Sequence, residues 1–113
     1  MDKRFRDFQI LGKILAEIEF LETYVRDLTL DIVLNSEEKK RTISMTFLNI
    51  GELANNLSTE FIKSETGIPF SLIINTRHRV AHGYHKLKFE VIWETIKRDI
   101  PELKNQVEKI LEG

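Results

Sequence analysis

Phe8, Leu11, Leu15, Ile18 and Val25 recur at three- and four-residue steps, or the sum of the two, with Glu17, Glu19, Glu22 and Arg26 set among them. A helix returns to the same face every 3.6 positions, so this spacing predicts one long amphipathic helix over about residues 3–33 with an apolar stripe facing a core. Asn35 followed three positions later by Glu38 has the form of a capping pair: the amide oxygen accepts from a first-turn N–H and the carboxylate reaches back. A second helix is expected to start there and to run to about Leu57. Ile43, Phe47, Ile50, Ala54 and Leu57 form its apolar stripe, leaving Glu37, Lys40, Arg41 and Asn55 for water. Two long helices joined by a short turn should pack antiparallel. Gly51 interrupts the second at a cost of roughly 1 kcal/mol against alanine, which the close approach of another backbone would explain. Glu52 would then lie near a neighbouring helix, although an exposed glutamate beside a tolerated glycine fits the same spacing.

Residues 58–66 are polar and form at most a short helix ended by Gly67, after which Pro69 suits the first turn of the next. Phe70, Ile73 and Ile74 lead by helical steps to Val80 and Ala81. Phe89, Ile92, Trp93 and Ile96 open a last helix that Ile100, Leu103, Val107 and Ile110 continue, with Pro101 expected to kink or restart it. No stretch alternates with the period of a strand, and neither a repeat nor a linker is visible. The fold class is all-α, and the 113 residues fit one domain, 1–113.

With 42% hydrophobic and 31% charged residues, the chain has the makeup of an ordered helical protein. It has no cysteine, hence no disulfide or thiolate chemistry, which suits a reducing compartment. No run approaches the roughly 18 apolar residues of a membrane span, so a cytoplasmic protein without membrane contact is expected. The net charge of −1 gives the whole molecule no field that would attract a polyanion.

Locally the picture differs. The stretch NTRHRVAHGYHKLK, residues 75–88, holds all three histidines, two arginines and two lysines but no acid. Without Arg77, Arg79, Lys86 and Lys88, 13 basic residues stand against 18 acidic, so a positive segment sits on an acidic body. On an ideal helix Ala81 and Tyr84 fall within about 40° of Arg77, and His78, His82 and His85 make a second stripe. Three imidazoles at i, i+4 and i+7 are in principle ligands for a borderline metal. Against a metal, Gly83 loosens the helix where the third ligand would be held, and no acid lies on the stripe to orient the rings. A solvated basic face with incidental histidines is the plainest alternative. The third reading is phosphate chemistry: guanidinium presents a fork of donors to phosphate oxygens, and imidazole exchanges a proton near neutral pH. With these tools a ribose 2′-hydroxyl can be made to attack its own phosphodiester without a metal, a reaction closed to DNA.

Arg77, four residues, His82, one residue, Tyr84 matches the R-x4-H-x-Y signature of the HEPN ribonucleases, and this stretch resembles in particular the HepT-like toxins of toxin–antitoxin pairs. IGELANNLS (50–58), GIPFSLIINTRHRVAHGY (67–84) and VIWETIKRDIPELKNQVEKIL (91–111) are similar to successive segments of that family. The position after the arginine, commonly asparagine there, is His78 here. The resemblance implies an up-and-down bundle of about five helices, working as a homodimer whose two copies bring Arg77 and His82 into one cleft. It implies a metal-independent endoribonuclease without a cofactor, Arg77 and His82 being catalytic, His78 and Glu52 supporting them, and Arg79, Lys86 and Lys88 contacting the RNA backbone. It also implies that Tyr84 is where an MntA-like nucleotidyltransferase antitoxin attaches AMP. A non-catalytic subunit that presents substrate to such a nucleotidyltransferase would carry the same residues.

Overall fold

The computed structural model describes residues 3–65, 67, 68, 73 and 88–113. Among them are five helices and no strand: α1 (Lys3–Val25), α2 (Leu30–Leu34), α3 (Glu37–Asn55), α4 (Thr59–Ser64) and α5 (Phe89–Glu112). The chain is all-α, and among the described residues α1, α3 and α5 are the long helices.

The single helix expected over 3–33 is divided in two. The turn after Val25 is closed by Leu28 N donating to the Val25 carbonyl at 3.0 Å. Thr29 then adopts extended backbone, φ −115° and ψ 162°, and its Oγ1 accepts from Ile32 N at 3.2 Å, capping α2. Apolar spacing carries on through the break, because Val33, fully buried, reaches the same core from the shorter helix. The expected cap of the next helix shifts by one residue. Ser36 is the N-cap of α3, its Oγ accepting from Lys39 N at 3.2 Å, while Asn35 closes α2 by donating its side-chain amide to the Asp31 carbonyl at 2.8 Å. A hydroxyl on extended backbone serves as N-cap as well as an amide does, so the two neighbours share the junction, one ending a helix and one starting the next.

α1 and α3 run antiparallel, because pairs across them rise on one helix as they fall on the other. Asn49 Nδ2 donates to Glu17 Oε1 at 3.1 Å, and just beyond α3 the backbone N–H of Ser58 donates to Asp7 Oδ1 at 2.8 Å. Ile43, Phe47, Ile50, Ala54 and Leu57 are all buried, as their spacing predicts, and meet Leu11, Ile14, Ile18 and Leu21 of α1 in one core. Ser58 is also the N-cap of α4: its Oγ accepts from Phe61 N at 3.2 Å and donates to Asp7 Oδ2 at 2.6 Å. The carboxylate of Asp7, 3% exposed, is thereby held on both oxygens, as a buried charge requires.

α5 closes the core with Phe89, Ile92, Ile96, Ile100, Leu103 and Val107. It continues through Pro101 as one helix, so of the two outcomes expected there, a kink or a restart, the restart does not occur. Pro101 and Lys97, the residue one turn earlier whose carbonyl loses its donor, are both exposed, and the apolar stripe of α5 holds the helix in the core. Among the described residues no helix is long and apolar enough to cross a membrane.

Candidate functional site

Arg77, His78, Arg79, His82, Tyr84 and Lys86 lie outside the described residues, and so do all three histidines of the stripe considered for a metal. Glu52 and Lys88 lie within them. What the structure defines is the scaffold on either side of the basic segment. Before it, Ile68 is buried and Ile73 packs against the core; after it, Phe89 is buried. The entrance is tied to α5, since Gln106 Nε2 donates to the Gly67 carbonyl at 2.6 Å. Ile73 and Phe89, the described residues nearest to it on either side, are thus held by core packing.

Lys88 is the N-cap of α5. Its carbonyl accepts from Val91 N at 3.0 Å and Ile92 N at 3.2 Å, and its exposed side chain takes no part in the cap. The positive end of the helix dipole and the lysine charge therefore share one location. Each disfavours the other, and both favour a negative partner there.

Glu52 is half-buried on α3, beside the buried Gly51. With Lys13, Ala16, Glu17 and Phe20 of α1 and Asn49, Leu53 and Asn56, it lines an open groove of about 610 Å³. The neighbouring helix expected beside it is thus α1. Asn49 and Asn56 were not singled out in the sequence, yet with Glu52 they follow one another at steps of three and four residues, a polar stripe along the last turns of α3. Asn56 donates its side-chain amide to the Glu52 carbonyl at 2.9 Å, closing the end of α3. Among the described residues no group of three or more His, Cys, Asp or Glu is placed to hold a metal.

Two charged groups elsewhere have shifted titrations. The Glu60 carboxyl is held below the usual carboxylate value by its own backbone N–H in the first turn of α4 and by Lys3, 3.5 Å away. Lys104 is raised above the ordinary lysine value because its ammonium donates to Glu22 Oε1 at 2.9 Å, joining α5 to α1.

Residues 14–110 match the family described as "Ribonuclease HepT-like". The chain belongs to this HepT-like ribonuclease family. It is 33% identical over 102 residues to the protein named "Putative RNase TTE0752" of Caldanaerobacter subterraneus, an alignment covering 90% of this chain and 91% of the other. It is 27% identical over 110 residues to "Probable ribonuclease HepT" of Thermococcus cleftensis, covering 97% and 98%. A third relative, at 32% identity over 102 residues, is "Gamma-glutamylcyclotransferase and putative RNase MJ0434" of Methanocaldococcus jannaschii; 90% of this chain matches 46% of that longer protein. No solved structure matches the chain.

Proposed function

We propose that the chain is a metal-independent endoribonuclease and the toxin of a type VII HepT/MntA-like toxin–antitoxin pair, a single HEPN domain over residues 1–113 acting as a cytoplasmic homodimer. The observation that carries this reading is the family match over residues 14–110, which spans the basic segment from end to end. The anchoring of Ile68, Ile73 and Phe89 supports it, since a catalytic pair needs both ends of its segment held.

In this mechanism RNA lies across the paired basic segments. Arg77 binds the scissile phosphate and offsets the charge that grows on its nonbridging oxygens. His82, neutral in one copy and protonated in the other, supplies base and acid. The base removes the proton of the 2′-hydroxyl, O2′ bonds to phosphorus, and the bond from phosphorus to the 5′-oxygen breaks as the acid protonates that oxygen. The products are a 2′,3′-cyclic phosphate and a 5′-hydroxyl, and no cofactor or metal enters. His78 and Glu52 hold the pair in place, and Arg79, Lys86 and Lys88 follow the backbone. Lys88 at the positive end of α5 is well placed to do so.

An MntA-like nucleotidyltransferase silences the enzyme by transferring AMP from ATP to the Tyr84 hydroxyl, releasing pyrophosphate. Each adenylate places bulk and negative charge where a phosphodiester should bind, so RNA is excluded. Incubation with that partner and ATP is expected to add the mass of one adenylyl group to the peptide containing Tyr84 and to abolish cleavage; an unmodified Tyr84 under those conditions contradicts this regulation. The catalytic assignment is tested separately, by Arg77→Ala in excess EDTA: a folded variant should lose at least about 100-fold in cleavage rate. If wild-type protein leaves RNA intact while still co-purifying with the nucleotidyltransferase, the chain is instead a presenting subunit.

A further inference from the structure

Phe20 is 48% exposed on α1, yet its ring is steadied by stacking on Tyr24, with centroids 5.8 Å apart and planes 19° from parallel. The ring borders the open groove that Glu52 lines, where Ala16 and Leu53 complete an apolar surface. An exposed aromatic fixed beside a cavity of about 610 Å³ forms a shelf on which an unstacked nucleobase can settle. The space suffices for one base and its ribose.

The polar groups around the shelf decide which base. Lys13, Glu17 and Phe20 follow one another at steps of four and three along α1, so one face of the helix presents a cation, a carboxylate and a ring in order. Asn49 of α3 donates its Nδ2 to Glu17 Oε1 at 3.1 Å, which links the two side chains and leaves Glu17 Oε2 and the Asn49 amide oxygen to accept. With Glu52 included, one positive and two negative side chains line the groove. That balance disfavours a phosphate inside it and favours a neutral ring with donors on its edge. Guanine has such an edge: N1–H and N2–H stand side by side, matching adjacent acceptor oxygens, while O6 and N7 accept from an ammonium. Uracil offers one N–H between two carbonyls and sets acceptor against acceptor.

We propose that the groove between α1 and α3 is a guanine subsite of the ribonuclease. Phe20 stacks on the base, Glu17 and Asn49 accept from N1–H and N2–H, and Lys13 donates to O6 or N7. The phosphate stays outside the groove, for the basic segment to bind, so cleavage falls beside guanosine. This subsite rests on the ribonuclease reading, since Glu52, which supports the catalytic pair there, lines the same groove.

Titration of the full chain with 5′-GMP, 5′-AMP, 5′-CMP and 5′-UMP, followed by NMR at the side-chain amides of Asn49 and Asn56, is the test. 5′-GMP should bind at least about tenfold more tightly than 5′-UMP. Phe20→Leu keeps apolar bulk at an exposed position and removes the ring, and it should weaken 5′-GMP binding by about tenfold. Glu17→Gln presents one acceptor and one donor, the pattern that adenine N1 and N6 complement, and should move the preference from 5′-GMP to 5′-AMP. Neither residue belongs to the buried core, so both variants should unfold close to the wild-type urea midpoint. Binding needs no turnover: a chain that selects 5′-GMP but leaves RNA intact keeps the guanine site and contradicts the enzymatic reading. A chain that cuts RNA yet binds the four nucleotides equally keeps the enzyme and overturns the subsite. Failure to bind any of them, as when a second copy covers the groove, or unchanged 5′-GMP affinity in both variants, overturns it as well.

Discussion

Asp7 shows what a single residue contributes to this fold. Its buried carboxylate receives two hydrogen bonds from Ser58, whose hydroxyl at the same time caps α4. Ser58→Ala removes the cap and one of the two charge-assisted bonds, so a loss of about 2–3 kcal/mol is expected in urea unfolding; a loss below about 0.5 kcal/mol would mean that water reaches Asp7 and replaces the hydroxyl. Glu52 belongs to the other class of residue, one whose proposed task is positioning. Glu52→Gln keeps shape and packing in the groove along α1 and removes the charge. It is expected to leave the unfolding midpoint in place and lower the cleavage rate, whereas a parallel fall in stability and rate would make Glu52 a structural residue.

Between elements, the link from α1 to α5 through Glu22 and Lys104 has a defined pH dependence. The lysine pKa is raised in the folded chain, so the stabilisation is complete below the ordinary lysine value of 10.5 and disappears as pH climbs through the raised one. Denaturation midpoints of wild type and Glu22→Gln should therefore differ at pH 7 and converge in strong alkali; a difference that persists there would locate the effect in packing. Pro101 allows a simpler test, because an exposed proline inside an unbroken helix costs more than the chain flexibility it removes from the unfolded state. Pro101→Ala is expected to stabilise by about 1–2 kcal/mol in the same assay. These elements also mark where the sequence could and could not be read. The stripes of α3 and α5 were legible because burial of one helix face leaves a regular record. The break before Thr29 and the cap at Ser36 were not, since apolar spacing runs on through a turn and since Asn35 and Ser36 are equally good caps until the backbone decides between them. Along the groove, the glycine before Glu52 left open both a neighbouring helix and an exposed glutamate, and α1 lies beside it; Asn49 and Asn56 gain meaning only from α1 lying alongside.

At the scale of the whole molecule, the governing feature is a basic segment on an acidic body. With Arg77, Arg79, Lys86 and Lys88 removed, the remaining balance is −5, so RNA should be drawn to one region and repelled by the rest. If the two copies present these four cations to one strand, the logarithm of affinity should fall with the logarithm of salt at a slope of about −5 to −6. A slope near −3 would correspond to a single copy engaging the RNA.

Cleavage of a labelled RNA by wild type and by His82→Ala, side by side in excess EDTA, tests the central claim most directly. Wild type should produce fragments ending in cyclic phosphate, and the folded variant should be slower by about 100-fold or more. Equal rates for the two proteins, or wild-type cleavage that EDTA abolishes, would contradict the account.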